Sequence, residues 1–94
     1  MKKAKPSAWT IYMVRCRDNT LYTGITDNLE KRIEAHNSGK GAKYIVPSRR
    51  PVKCVWVKKT KTRNRALKLE IEIKRMSKTE KEKLVKYGKI KPIV

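Results

Sequence analysis

Two short runs rich in β-branched and aromatic residues, Thr10-Ile11-Tyr12-Met13-Val14-Arg15-Cys16 and Leu21-Tyr22-Thr23-Gly24-Ile25-Thr26, are separated by Arg17-Asp18-Asn19-Thr20, four residues of turn chemistry. This pattern predicts a β-hairpin, and a hairpin has faces that the rest of the chain must cover. Asp27 with Glu30 three residues later is a capping-box arrangement, predicting a helix over about 27–38 that Gly39 stops. Residues 39–51 hold two glycines, two prolines and four cations, the composition of an irregular basic loop. Val52-Lys53-Cys54-Val55-Trp56-Val57-Lys58 is a third strand by composition, and Thr62 opens a second helix through about Met76. Ser77-Lys78-Thr79-Glu80 is a further capping box, starting a short third helix that ends at Gly88. The expected order is ββαβαα, three strands and three helices in one α+β arrangement.

Ninety-four residues with 38% hydrophobic content furnish one modest core, since a second would need roughly another 50 residues. The first eight residues are basic and aperiodic, which predicts a flexible arm over 1–8, a single domain over 9–88 and a tail over 89–94. The longest apolar runs are a few residues, and Met1–Pro6 leads into no signal-peptide hydrophobic region, so a cytoplasmic protein is expected. Cys16 and Cys54 are too few for a structural zinc site and too far apart for a redox pair; both are expected to be small buried hydrophobes. The 26 Lys and Arg against 8 Asp and Glu leave a net charge of +18. Such an excess attracts a polyanion through counterion release, which points to nucleic acid. Membrane binding is disfavoured, because the Lys-rich helices lack Trp or Phe opposite a basic face. Lysine outnumbers arginine 18 to 8, which favours diffuse phosphate contact over base-specific forks and predicts weak sequence specificity.

Several polar residues fall where apolar ones belong. In the first helix Leu29, Arg32, Ile33 and His36 share one stripe. Arg32 and the chain's one histidine must therefore find partners, border a wet cleft, or snorkel past Leu29 and Ile33 to solvent. In the second helix Ala66, Leu67, Leu69, Ile71 and Ile73 spread over an arc centred near Glu70, whereas Glu72 points away. Glu70 is thus either half of an internal ion pair, with Arg32 a possible partner, or a metal ligand. For Tyr12 and Tyr22 the register decides: a two-residue loop at Asp18-Asn19 pairs Tyr12 with Ile25 and splits the rings between faces. A three-residue loop over 18–20 pairs Tyr12 with Thr26 and Cys16 with Tyr22, putting both rings on one face.

The order Thr10-Ile11-Tyr12, then Tyr22-Thr23-Gly24, Arg32 ten residues beyond Tyr22, His36 four further on and a helical Glu70 resembles the GIY-YIG nuclease superfamily over about residues 9–85. Within it the chain looks most like the small standalone bacterial members, a largely uncharacterised group, through His36-Asn37-Ser38-Gly39-Lys40-Gly41-Ala42-Lys43-Tyr44, Arg50-Pro51-Val52, and Ala66 leading to Glu70 and Ile73-Lys74. Thr10 stands where the signature has its first Gly, Thr23 where it has its middle Ile, and Ile25 where some relatives carry Lys. No counterpart of the downstream Asn of some relatives is found. The resemblance implies a three-stranded antiparallel sheet flanked by helices, with the active site on one sheet face. Tyr12 and Tyr22 would be the signature tyrosines, Gly24 the signature glycine, Arg32 the catalytic arginine, His36 its partner one turn later, and Glu70 the single acidic metal ligand. These are the residues that looked misplaced.

The chemistry that follows is phosphodiester hydrolysis, which needs an activated water, charge stabilisation and help for the leaving group. Tyr22, with Tyr12 beside it, would position or deprotonate water; a free phenol near pKa ~10 is a poor base, so Arg32 and the metal must favour phenolate. His36 is an alternative base or proton relay. Glu70 would hold one divalent ion, Mg²⁺ or alternatively Mn²⁺, with no small-molecule cofactor. Arg32 would contact the scissile phosphate. Lys31, Lys40, Lys43, Arg49 and Arg50 are candidates for tracking the strand, and Tyr44 for stacking on an unpaired base. Two functions are carried forward. One is a metal-dependent nuclease acting on DNA rather than RNA, with structural rather than sequence selectivity, as in repair or recombination. The other is a non-catalytic nucleic-acid-binding module that keeps the fold.

Overall fold

The computed structural model describes residues 8–88. The predicted arm and tail lie outside these residues, apart from Ala8, which is exposed. The elements are β1 (Trp9–Arg15), β2 (Leu21–Thr26), α1 (Leu29–Ser38), a single 3₁₀ turn at Pro47–Arg49, β3 (Lys53–Thr60), α2 (Arg63–Lys74) and α3 (Lys78–Tyr87). The order is ββαβαα, and the strands form one antiparallel sheet in the order β2-β1-β3. No described helix is long and apolar enough to cross a membrane.

The hairpin turns one residue earlier than either predicted register. Arg17, Asp18 and Asn19 form the loop: Asn19 N–H donates to Cys16 O at 2.9 Å and Cys16 N–H to Thr20 O at 2.8 Å. Asn19 takes the positive φ of 73° that this closure requires, a conformation asparagine tolerates better than most side chains. Asp18 Oδ1 meanwhile accepts from the backbone and hydroxyl of Thr20. Tyr12 therefore pairs with Gly24, and Tyr22 with Val14. This is two residues from the Thr26 pairing, so parity is kept and both tyrosines share a face; the Ile25 pairing is excluded.

The first helix also starts one residue later than expected. Asn28, not Asp27, is the N-cap, its side chain accepting from Lys31 N–H at 3.2 Å. Thr26 Oγ1 accepts from Asn28 N–H at 3.1 Å, which holds the strand exit extended past Asp27. Glu30 is then too early to close a capping box. Ser77 and Glu80 do form the predicted reciprocal box on α3, Thr62 caps α2, and Gly39 and Gly88 end α1 and α3 in the left-handed conformation.

Central strand β1 is buried on both sides. Ile11 and Met13 join Leu21, Trp56, Ala66, Ile73 and Leu84 in a core shared with α2 and α3. Tyr12, Val14 and Cys16 join Ile45 and Val52, with Leu29 and Ile33 of α1 packed against them. The α2 stripe is narrower than predicted: Ala66 and Ile73 are buried, but Ile71 is 50% exposed. Cys16 is buried as expected, whereas Cys54 is exposed on edge strand β3, beside a register shift opposite Met13/Val14. Lys53, Lys58 and Lys59 stud the same strand, a charge pattern that discourages edge pairing. Arg15 grips Glu82 of α3 through two bonds of 2.7 and 2.6 Å, fastening the third helix to the hairpin.

Candidate active site

The site begins with a pair imposed by the register. Tyr12 lies across from Gly24, and a Cβ at Gly24 would fall 2.5 Å from the Tyr12 hydroxyl and 2.8 Å from Cζ. The glycine is needed so that the phenol can lie over the neighbouring strand. Tyr12 itself has no exposed surface.

Its hydroxyl oxygen lies 2.7 Å from Nε2 of His36, which α1 delivers onto the sheet and which is also fully buried. The other ring nitrogen, Nδ1, accepts the backbone N–H of Ala42 at 3.2 Å. Burial, with the nearby Arg32 charge adding to it, pushes the imidazole down to about 4, so it is neutral at pH 7. Burial also pushes the Tyr12 phenol up to about 12; Arg32, beside the same oxygen, opposes this without prevailing. Tyr12 thus keeps its proton here, because desolvation outweighs one cation.

Tyr22 is the more open tyrosine. Its ring meets His36 edge-on at 5.4 Å and stacks on Tyr44 at 5.7 Å. Helix α2 runs along β2 and brings Glu70 and Lys74 to the tyrosine side: Lys74 Nζ is 5.8 Å from the Tyr22 ring centre and 3.4 Å from Glu70 Oε2. The Glu70 side chain is only 16% exposed, and its charge acts on Tyr12. Glu70 pairs with Lys74 and not with Arg32, which has no carboxylate within ion-pair distance among the described residues. Tyr12, Tyr22, Arg32, His36 and Glu70 therefore cluster on the tyrosine side of the sheet.

Among the described residues no group of three or more His, Cys, Asp and Glu side chains forms a ready metal cage. A lone, mostly buried carboxylate facing a cleft suits Mg²⁺, which keeps several waters and shares a substrate's phosphate oxygens. Glu70 fits that pattern, and its half-exposed i,i+4 lysine is a weakly held partner.

The expected nucleic-acid contacts divide. Lys31, Lys40 and Lys43 are exposed, and Lys31 and Lys40 line with Arg32 a groove along α1. Arg49 and Arg50 are engaged internally. Arg49 Nε donates to Asp18 Oδ2 at 2.8 Å and Nη1 to Tyr44 O at 3.0 Å, its guanidinium lying 4.1 Å over the Tyr44 ring. Arg50 Nε donates to Ile45 O, and its guanidinium packs on Gly39. Tyr44, 41% exposed, already stacks on Tyr22 and has the Arg49 guanidinium over its ring, so a base would compete with protein groups there. Gly41, Ala42 and Asn37 entered the sequence reading only through the family resemblance and were given no role; the Asn37 amide exchanges two bonds with the Val52 backbone. The closely spaced glycines after His36 were the available signal for the first two.

The model of the GIY-YIG catalytic domain family matches residues 8–83, the small antiparallel sheet with its tyrosine pair and the helices packed on it, and the chain belongs to that family. It is similar to bacterial UPF0213 proteins. One from Syntrophus aciditrophicus is 52% identical over 79 residues, covering 83% of this chain and 90% of the relative. One from Staphylococcus haemolyticus is 47% identical over 75 residues, covering 80% and 90%. The solution NMR structure of a UPF0213 protein from Bacillus halodurans superposes with a TM-score of 0.57 at 36% identity over 86% of each chain. That of the E. faecalis protein EF2693 gives 0.61 at 33% identity, covering 100% and 97%.

Proposed function

We propose that the protein is a metal-dependent cytoplasmic nuclease that hydrolyses phosphodiester bonds in DNA, choosing substrates by structure rather than by sequence. The observation that carries this reading is the clustering of Tyr12, Tyr22, Arg32, His36 and Glu70 on one side of the sheet in a chain with a net charge of +18. Arg32, with no carboxylate partner among the described residues, is free to contact the scissile phosphate and to stabilise the charge that grows on it. Tyr22, the less buried phenol, orients or activates water. His36, pushed down to about 4, is a weak base at neutral pH and supports Tyr12 instead. Glu70 would hold the divalent ion, which when bound supplies Lewis-acid stabilisation of phosphate charge. Lys31 and Lys40 in the groove along α1, with Lys43 in the loop that follows, track the strand.

The test incubates labelled single-stranded, duplex and branched DNA, and matched RNA, with the protein and Mg²⁺, Mn²⁺ or EDTA. Cleavage is expected with metal and not with EDTA, and Glu70→Gln should slow it on the order of 100-fold while leaving binding in EDTA unchanged. Binding without cleavage on every substrate would favour the non-catalytic module. Cleavage indifferent to Glu70→Gln would remove Glu70 from the site.

A further inference from the structure

Both nitrogens of His36 are engaged, and one partner leaves no choice of direction. A peptide N–H can only donate, so the Ala42 bond to Nδ1, 3.2 Å long, occupies the lone pair of that nitrogen. A neutral imidazole with its acceptor at Nδ1 carries its proton on Nε2. Nε2–H then donates along the 2.7 Å contact to the Tyr12 oxygen. With that oxygen accepting from His36, and Arg32 beside it able only to donate, the phenol's own proton is directed away from both.

The loop is built for this contact. Gly39 turns the chain off α1 with φ of 90°, and Lys40 N–H returns to Ala35 O at 2.9 Å. Gly41 then passes so close to the ring that an added Cβ would lie 2.2 Å from Nδ1 and 2.8 Å from the His36 Cα. One of those clashes is with backbone, so a rotamer change alone cannot relieve it.

We infer that the Gly41–Ala42 backbone is a positioning element that locks His36 as the Nε2–H tautomer and thereby fixes the Tyr12 oxygen as the acceptor of its hydrogen bond. His36 then acts through Tyr12 rather than as the base. In the nuclease reading, on which this consequence rests, the bond holds the Tyr12 ring and oxygen in place beside Arg32. The tautomer itself does not depend on that reading.

The first experiment is long-range ¹H–¹⁵N NMR of ¹⁵N-histidine-labelled protein at pH 7 without substrate; His36 is the chain's one histidine, so assignment is direct. A proton on Nε2 and a bare Nδ1 are expected, with Gly41→Ala shifting the ring toward mixed tautomers. A proton on Nδ1 in the wild type overturns the inference. The second experiment compares His36→Gln, whose amide can still donate to Tyr12, with His36→Phe, which fills the space and donates nothing. His36→Gln should cleave at least about tenfold faster than His36→Phe, and equal loss in two folded variants would mean that the imidazole is itself the base. If the wild type cleaves nothing yet shows the Nε2–H tautomer, the nuclease reading falls and the lock stands. If it cleaves with Nδ1 protonated, the lock alone falls.

Discussion

Burying an imidazole and a phenol against each other gives the site a measurable pH signature. His36 titrates near 6.5 when unfolded and at about 4 in the native protein, so between these values the unfolded chain binds more protons. Its contribution to stability is fully present above pH ~6.5 and disappears progressively as pH falls toward 4, amounting to roughly 3 kcal/mol at ~1.4 kcal/mol per pH unit. Urea unfolding of wild type and His36→Gln between pH 7 and 4.5 should show this loss in the wild type only. Parallel curves would mean that the ring is not held neutral. The carboxylates of Asp18 and Glu82 are lowered to about 2 by Thr20 and Arg49 and by Arg15 respectively, so they titrate in a more acidic range and cancel in the comparison. Gly24 and Gly41 belong to the same account, since each lets an aromatic ring of the site approach backbone that a methyl group would occupy.

Among the elements, the local signals were the legible ones. The caps at Thr62 and Ser77 and the stops at Gly39 and Gly88 are written within a few residues of where they act. Asp27 and Asn28 are adjacent and chemically alike, and only the Thr26 hydroxyl, set by the strand before them, decides between them. Asn28→Ala should therefore cost about 1 kcal/mol in chemical denaturation, and Asp27→Ala less than about 0.5. A larger loss for Asp27→Ala would reverse the assignment. The hairpin register was missed because Asn19, not the Asp18-Asn19 pair, carries the positive φ. Arg32, His36 and Glu70 were readable because each breaks an apolar pattern, whereas the shared face of the tyrosines hung on a register that the turn residues left open. The fate of Arg49 was not readable, since its partner Asp18 lies 31 residues away. Cys54 and Ile71 were misjudged because composition does not say which strand is an edge or how wide a helix stripe is.

Taken as one body, the molecule holds far more positive charge than its folding uses. Lys31, Lys40 and Lys43 are exposed, the first two beside Arg32, whereas Arg49 and Arg50 are bonded into the loop. Replacing the three lysines with Ala should reduce the slope of log affinity against log salt for duplex DNA by about 2–3. Arg49→Ala or Arg50→Ala should instead chiefly lower thermal stability. An unchanged slope in the triple variant would move the DNA elsewhere on the surface. The sheet order adds a different kind of consequence. β1 lies between two neighbours, with Ile11 and Met13 serving one core and Tyr12 the other, so the strand that carries the site is also the strand on which folding depends. A protein built this way has few mutational routes to becoming inert while staying folded. Tyr12→Phe, which removes one oxygen and keeps the ring, is such a route, whereas truncating the ring to Ala would lower the amount of folded protein as well as its activity. Inactive descendants of such a chain should therefore still carry an aromatic ring at position 12.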